Sequence, residues 1–196
     1  MNKSDILIVC ALEQETQGQL EDYRVLYTGV GKVNATLELT KVLQRAHLHY
    51  LPPMPDLVIN YGTAGSRKLP IGELVDCTKF IQRDMDVTGL GFMNHQTPFE
   101  SPNKMVLLST SEFNPIGKNY TCGTGDNFVQ DINKEIDCDV FDMEAYALAK
   151  VCWKLGKDFI SYKYITDNAN KSSSKDWEEN CSDGIELFKE KELEKL

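Results

Sequence analysis

Continuous apolar runs alternate along the chain with stretches of helical periodicity. Residues 6–11 and 56–60 are largely apolar and contain several β-branched side chains. Such runs are typical of strands that are buried on both faces, as in parallel or mixed sheets. Further strands are predicted over residues 105–109 and 159–165, and the more alternating residues 73–80 are predicted to extend the sheet.

Helical spacing of apolar residues fills the segments between these strands. It predicts a helix over residues 32–47, a second over 142–155 that ends before Gly156, and a last one from residue 176 to the C-terminus. Residues 93–104 are the most loop-like stretch. Without repeats or linkers, this alternation predicts a single α/β domain over residues 1–196, three layers thick, with a central mixed β-sheet flanked by helices.

The charge balance narrows the classes of partner. Composition is that of a globular protein, with 41% hydrophobic and 26% charged residues, and the formal net charge is −9. A negative surface repels nucleic-acid phosphates and anionic lipids, so neither nucleic acid nor membrane is expected as a partner. The apolar run near the N-terminus is too short to span a bilayer and has no small-residue cleavage site. A small neutral or cationic ligand fits this charge.

The cysteines and histidines point away from disulfides and metal. Six cysteines are scattered without a Cys-x-x-Cys pair, which favours free thiols in a reducing cytoplasm. The three histidines lack the spacing of a metal site. No metal or cofactor is therefore expected.

Acidic residues and glycines gather where the predicted strands end. Glu13 and Glu15 follow the first strand, the glycine-rich residues 61–65 follow the second, and Asp167 follows the last. A further acid-rich segment, residues 142–144, opens the second helix. Because ligands bind at the carboxyl ends of strands in open α/β sheets, these positions are candidates for a site.

Each of these features also has a purely structural interpretation. Glu13 and Glu15 suit the first turn of a helix, Asp167 suits a helix N-cap, and the glycines of residues 61–65 suit a turn. Residues 29–32 (Gly-Val-Gly-Lys) open a helix and can cradle an anion, but they lack the full dinucleotide or Walker pattern.

Seven motif segments follow one another along nearly the whole chain. In chain order they are residues 11–15 (Ala-Leu-Glu-Gln-Glu), 28–35 (Thr-Gly-Val-Gly-Lys-Val-Asn-Ala), 59–65 (Ile-Asn-Tyr-Gly-Thr-Ala-Gly), 84–88 (Asp-Met-Asp-Val-Thr), 124–129 (Thr-Gly-Asp-Asn-Phe-Val), 142–145 (Asp-Met-Glu-Ala) and 165–167 (Ile-Thr-Asp). Taken together, they resemble the motifs of one family, the nucleoside phosphorylase and nucleosidase superfamily. The similarity is strongest to its 5′-methylthioadenosine/S-adenosylhomocysteine nucleosidases.

The resemblance implies two catalytic carboxylates. It assigns Asp167 as the acid that protonates N7 of the leaving purine, and Glu15 as the base for the water that attacks the anomeric carbon. Two carboxyl groups in acid and base roles follow the general logic of glycoside hydrolysis.

Binding roles follow from the same resemblance. Glu144 would grip the 2′- and 3′-hydroxyls of the ribose, and Met143 would pack beneath the sugar. Phe128 would stack on the purine, whose edge the backbone of Val129 would read. Thr63 would help to hold the acid and the water.

The pocket for the 5′ group departs from the family pattern. Leu12 stands where a methionine is usual and Val30 where an isoleucine is usual, while Leu90, Phe92 and Trp177 replace the aromatic residues of the alkylthio pocket. All five remain hydrophobic, so the resemblance implies a purine nucleoside with an apolar 5′ substituent.

The family resemblance also predicts a homodimer. In the family, the segment that corresponds to residues 94–102 helps to form the dimer and reaches the neighbour's pocket, and this segment is shorter here. The apolar stretch around Leu90, Phe92 and Met93 would otherwise be exposed.

Hydrolysis is favoured over phosphorolysis, because neither Arg24 nor Arg67 matches the phosphate-binding arginines of the phosphorylases. The resemblance associates asparagine at the position of Asp167 with 6-oxo purines, so it implies a 6-amino purine here and hence release of adenine. Two alternatives stay open: a nucleosidase or phosphorylase for another purine nucleoside, including futalosine-like substrates, and a non-catalytic nucleoside-binding relative.

Overall fold

A computed structural model describes residues 2–47, 53–100, 106–109, 111–130 and 137–196. Within these ranges one mixed sheet contains β1 (Ile6–Cys10), β2 (Arg24–Tyr27), β3 (Leu57–Gly65), β4 (Leu74–Gln82), β5 (Val106–Leu108), β6 (Tyr120–Thr124), β7 (Val140–Asp142) and β8 (Asp158–Asp167). The α-helices of these ranges are α1 (Lys32–His47), α2 (Ala145–Lys154), α3 (Ser173–Asn180) and α4 (Ile185–Lys191). The predicted α/β fold with a central mixed sheet is confirmed.

The long strands β3 and β8 form the centre of the sheet. They run parallel from the Leu57–Asp158 pair to the Gly65–Asp167 pair. Along the sheet the order is β2-β1-β3-β7-β6-β4-β5, and β8 also pairs antiparallel with β4. The carboxyl ends of β1, β3 and β8 therefore meet at one edge of the sheet.

Helices pack on both faces of the sheet, because successive residues of a buried strand point to opposite sides. Leu7 and Val9 of β1 belong to one core cluster, with residues of α1 and α2. Ile6 and Ile8 belong to a second cluster on the other face, which includes Phe188 of α4. The result is the predicted three-layer arrangement.

Two predicted helices have different bounds in the structure. The helix predicted from residue 142 begins at Ala145, because residues 140–142 form β7 and pair with β6. The last helix, predicted from residue 176, is divided into α3 and α4. The interruption contains Gly184, where a Cβ atom would overlap the ring of Tyr164, so a larger residue does not fit there.

Several strands differ from the prediction as well. The glycine-rich residues 61–65 continue β3 and are not a turn, and β2, β6 and β7 were not predicted. Residues 93–100 contain no helix or strand, as expected, whereas residues 101–105 lie outside the described ranges. In the described part of the chain, no helix has the length and apolar character needed to cross a membrane.

Candidate active site

A cavity of about 220 Å³ opens where the strands end at their carboxyl termini. Its wall combines residues from all the predicted segments except that of residues 84–88. Ten of the twelve predicted site residues line it: Leu12, Glu15, Val30, Thr63, Phe128, Val129, Met143, Glu144, Asp167 and Trp177. Leu90 and Phe92 do not belong to this wall. The clustering follows from the topology, since this edge of an α/β sheet carries the connecting loops.

Glu15 is buried and held by three donors. It closes a short 3-10 helix over Glu13–Glu15 and is 3% exposed. Its Oε1 accepts hydrogen bonds from the backbone N–H and the hydroxyl of Thr63, both at 3.0 Å, and its Oε2 accepts one from the N–H of Leu12 at 3.0 Å. A Cβ atom at Gly62 would lie 3.3 Å from Oε1, so the glycine lets β3 approach the carboxylate closely.

The hydroxyl of Thr63 is oriented by Trp177. The indole Nε1–H of Trp177, in α3, donates to Thr63 Oγ1 at 2.9 Å. The hydroxyl proton remains free to be donated to Glu15. Thr63 therefore contacts the predicted base, while the predicted acid Asp167 has its hydroxyl contact with Thr166.

Asp167 is the last residue of β8 and is 3% exposed. Its Oδ1 accepts from the N–H of Ala169 at 2.9 Å, and its Oδ2 accepts from the hydroxyl of Thr166 at 3.0 Å. It is not the N-cap of α3, which begins only at Ser173. A Cβ atom at Gly65 would lie 2.5 Å from Oδ1, so the neighbouring strand has room for this carboxylate only because residue 65 is glycine.

A buried ion pair lies beneath the cavity. Lys163 of β8 is 2% exposed, and its Nζ lies 2.8 Å from Asp142 Oδ2. Burial alone would lower the pKa of Lys163, but the Asp142 carboxylate raises it above its ordinary value. Conversely, burial would raise the pKa of Asp142, and Lys163 with the hydroxyl of Thr124 keeps it below the usual range. Both groups are therefore charged at neutral pH.

Sequence reasoning missed Lys163. A signal was present, because a lysine in the middle of an otherwise apolar strand needs a buried partner.

Glu144 lines the cavity and also contacts residues 29–32, the Gly-Val-Gly-Lys segment. Its Oε1 accepts from the N–H of Gly31 at 2.7 Å. The anion that this segment cradles is thus a carboxylate of the same chain. Burial, with the nearby Asp142 charge, raises the pKa of Glu144 to about 8.

Aromatic and apolar side chains form the rest of the wall. Phe128 is 40% exposed, and its ring stands edge-on to that of Trp177 with the centroids 6.4 Å apart. Leu12, Val30 and Met143 contribute apolar surface to the cavity.

Leu90 and Phe92 lie outside the cavity of the single chain. Leu90 is 73% exposed, and Phe92 is half-buried in an edge-to-face contact with Phe99. Met93 and Phe99 are also exposed. These apolar side chains lie in or just before residues 94–102 of the sequence, the segment that the family resemblance associates with a dimer.

Arg83 lines the cavity and is a second residue that sequence reasoning missed. It directly follows β4, is buried, and extends towards Gly125 and Asn127. Its position just before the Asp-Met-Asp segment was the available signal.

Comparison with known proteins agrees with this geometry. The model of the phosphorylase superfamily matches residues 11–192. The 5′-methylthioadenosine/S-adenosylhomocysteine nucleosidase of Marinomonas sp. (strain MWYL1) is 30% identical over 177 residues, covering 81% of this chain and 74% of that protein. The nucleosidase of the same name from Bacillus pumilus (strain SAFR-032) is 32% identical over 179 residues, with coverages of 81% and 74%.

Solved structures share the fold. Futalosine hydrolase of Helicobacter pylori strain 26695 superposes with a TM-score of 0.83 at 20% identity, covering 97% of both chains. The Helicobacter pylori 5′-methylthioadenosine/S-adenosyl homocysteine nucleosidase has a TM-score of 0.81 at 21% identity, covering 97% of this chain and 98% of that one. Together with the family match over residues 11–192, these similarities confirm the resemblance of the seven segments: the chain belongs to the phosphorylase superfamily.

Proposed function

We propose that the protein hydrolyses the N-glycosidic bond of an adenine nucleoside of the 5′-methylthioadenosine or S-adenosylhomocysteine type and releases adenine. The observation that carries this proposal is the convergence of three buried carboxylates, Glu15, Glu144 and Asp167, on one cavity with an aromatic wall. Relatives of at least 30% identity that carry the nucleosidase name support the same reaction.

Asp167 is the proposed acid. When the bond between C1′ and N9 breaks, its electron pair moves onto the purine, and a proton delivered to N7 neutralises the charge. Each Asp167 oxygen already accepts one hydrogen bond, from Ala169 or from Thr166. These contacts aim the carboxyl group, and a positioned acid of this kind contributes about 10²–10⁴-fold to the rate.

Glu15 is the proposed base. It takes a proton from water as the water oxygen bonds to C1′, so that the products are adenine and the free sugar. Three donors fix the carboxylate, and Thr63 adds a hydroxyl close to it. This restraint holds the base in one orientation when the water attacks.

The remaining cavity residues are proposed to bind the nucleoside. Glu144 accepts hydrogen bonds from the ribose hydroxyls, and Met143 packs against the sugar. Phe128 stacks on the base, and the Val129 backbone reads its edge. Leu12, Val30 and Trp177 receive the apolar 5′ group.

Water is favoured over phosphate as the nucleophile. Within the described residues, Arg83 is the only arginine in the cavity wall. Its Nη atoms are engaged with Gly125 and Asn127, and the other charged groups of the wall are carboxylates. A phosphate dianion lacks the arginine pair that usually binds it.

A nucleoside panel tests the proposal. The protein is incubated with 5′-methylthioadenosine, S-adenosylhomocysteine, adenosine, inosine and a futalosine-type nucleoside, with and without phosphate. Chromatography identifies the base and the sugar. Adenine and a free sugar without phosphate are expected; ribose 1-phosphate, or no cleavage of any nucleoside, contradicts the proposal.

We further propose that the active form is a homodimer. Val33 and Leu37 on α1, together with Leu90, Met93 and Phe99, leave large apolar side chains exposed on the single chain. Leu90 and Phe92 would reach a nucleoside only from a second copy. Light scattering should give twice the chain mass at micromolar concentration, and a monomer there would contradict the proposal.

A cytoplasmic location is proposed from the thiols. All six cysteines fall within the described residues, and each is a free and buried thiol. Such usage suits a reducing compartment. Fractionation of the native cells tests this assignment.

A further inference from the structure

Arg83 grips a single loop of the cavity wall. Its Nη1 donates to the side-chain oxygen of Asn127 at 2.9 Å. Its Nη2 donates to the carbonyl of Gly125 at 3.2 Å and also to the carbonyl of Asn127. The next residues in the chain are Phe128 and Val129, the proposed base-binding pair. Every side-chain hydrogen bond of Arg83 therefore ends on the loop that presents those two residues.

The charge of this guanidinium is not neutralised by a salt bridge. Arg83 is 6% exposed, and within the described residues no carboxylate lies within ion-pair distance of it. Its Nε is also buried without a hydrogen-bond partner in the described part of the chain. Burial lowers the pKa of Arg83 below its ordinary value, and the more distant charges of Asp84 and Asp142 oppose this shift only in part. Burying a cation in this way costs free energy, and an apolar side chain could fill the same space at a lower free-energy cost.

The loop is shaped to receive this side chain. A Cβ atom at Gly125 would lie 2.8 Å from the Cζ and Nη1 atoms of Arg83. Gly125 has no left-handed backbone conformation that would itself require glycine, so the guanidinium is what a larger side chain would displace. The backbone N–H of Arg83 also donates to the carbonyl of Thr124 at 2.9 Å, which anchors the arginine to the strand before the loop.

We propose that Arg83 is a positioning residue for base recognition: it fixes the Gly125–Asn127 loop so that Phe128 and Val129 meet the purine in one geometry. The inference rests on the proposed nucleosidase function and adds a residue that acts through the loop. Contacts to the base are made both in the bound substrate and in the transition state. Weakening them raises KM while kcat changes little.

The test combines kinetics with binding of free adenine. Arg83→Met keeps an unbranched side chain up to about the position of Nε but removes the guanidinium with its donors, and Arg83→Lys keeps the charge but not the planar fork. For Arg83→Met, the KM for the cleaved nucleoside and the calorimetric Kd for adenine should rise together by about tenfold to a hundredfold. The kcat should stay within about threefold, and Arg83→Lys should restore only part of the affinity. Arg45→Met, an exposed arginine of α1, is the matched control and should change neither constant.

A substitution at Gly125 disturbs the same contact between the loop and the Arg83 guanidinium. Gly125→Ala should displace the guanidinium and raise the Kd for adenine without changing the charge of the protein. In the Arg83→Met background the same alanine should cost little more, because the atoms it would meet are gone. A double-mutant cycle in adenine affinity measures this coupling. If Arg83→Met fails to fold, the single variants Gly125→Ala and Arg83→Lys carry the test: each should raise the Kd for adenine, and an unchanged Kd in both overturns the role of Arg83.

The outcomes separate the two proposals. Unchanged adenine affinity in Arg83→Met, a fall in kcat at constant KM, or additive effects of the two substitutions overturns the role of Arg83 while leaving the nucleosidase in place. If the unaltered protein cleaves no nucleoside and binds no adenine, the proposed function fails and the inference fails with it.

Discussion

Glu15 and Glu192 are both glutamates with almost no exposed surface, at 3% and 0%, but their surroundings differ. Glu15 lies at the carboxyl ends of the strands and accepts three hydrogen bonds. Glu192 lies near the end of the chain, next to the core cluster of α4. Neither of its oxygens forms a hydrogen bond of standard geometry among the described residues, although the nearby hydroxyl of Tyr162 partly opposes the rise of its pKa. Burial raises the pKa of Glu192 to about 7.

The difference distinguishes two uses of a buried acid. A carboxylate with fixed donors is held in one orientation and can act on a ligand, as proposed for Glu15. A carboxyl group without well-placed donors, such as Glu192, is easier to bury as the neutral acid, so it affects stability and has no place in the proposed chemistry. Three substitutions and one pH profile test this contrast, and they are ordered from the largest expected effect to the smallest.

Asp167→Asn should give the largest effect. The amide keeps the shape, and its oxygen can still accept from the N–H of Ala169. The hydroxyl of Thr166 can turn to the carbonyl of Ala64, 3.4 Å away, so folding should be normal. Proton transfer is lost, and kcat should fall by about 10²–10⁴-fold.

The control for this variant leaves the carboxyl group intact but moves it. Gly65→Ala brings a Cβ atom to 2.5 Å from Asp167 Oδ1 and should also lower kcat. If Asp167→Asn lowers the melting temperature yet keeps near-normal kcat, Asp167 only stabilises a turn and the mechanism is wrong.

Glu15→Gln should lower kcat by at least about a hundredfold, because the base is lost. All three partners of Glu15 are donors, so the new NH₂ group must face one of them. The melting temperature should therefore fall as well. Glu13→Gln, exposed in the same short helix, is the matched control and should leave both quantities unchanged. Activity retained in Glu15→Gln would remove Glu15 from the reaction.

The pH profile should reveal Glu144, whose pKa is raised to about 8 by burial and by Asp142. The raised pKa keeps the group neutral below that pH and ionised above it. If the ionised form grips the ribose, kcat/KM should rise by about tenfold per unit as pH approaches 8 from below. The rise should disappear in Glu144→Gln. A flat profile in the unaltered protein would exclude this role.

Glu192→Gln should change stability but not turnover. Because the pKa of Glu192 is raised to about 7 in the folded state, its contribution is fully present below about pH 4 and is lost as pH rises towards 7. Glutamine resembles the neutral acid, so the variant should be more stable than the unaltered protein by about 2–3 kcal/mol at pH 8 and similar at pH 4. Denaturant unfolding at both pH values measures the difference; equal stability at pH 8 would contradict the burial argument.

Local pattern was sufficient for the long elements and for the proposed catalytic residues. The β-branched runs predicted β1, β8 and the start of β3, because a strand buried on both faces must be apolar throughout. Helical spacing predicted the bounds of α1 correctly. The motif segments predicted Glu15, Glu144 and Asp167 as site residues, and the structure brings all three into the wall of one cavity. The strands β2, β6 and β7, of four, five and three residues, are short and carry little periodicity, and all three were missed.

Tertiary structure alone decided which groups meet. Thr63 is 48 residues from Glu15 in the chain, and Asn127 is 44 residues from Arg83. Neither contact has a local signature, because the sheet order that brings these segments together depends on long-range pairing. The contacts of Lys163 and Glu192 follow the same rule: the sequence contains the ionisable groups, but burial and the presence or absence of a partner determine their charge.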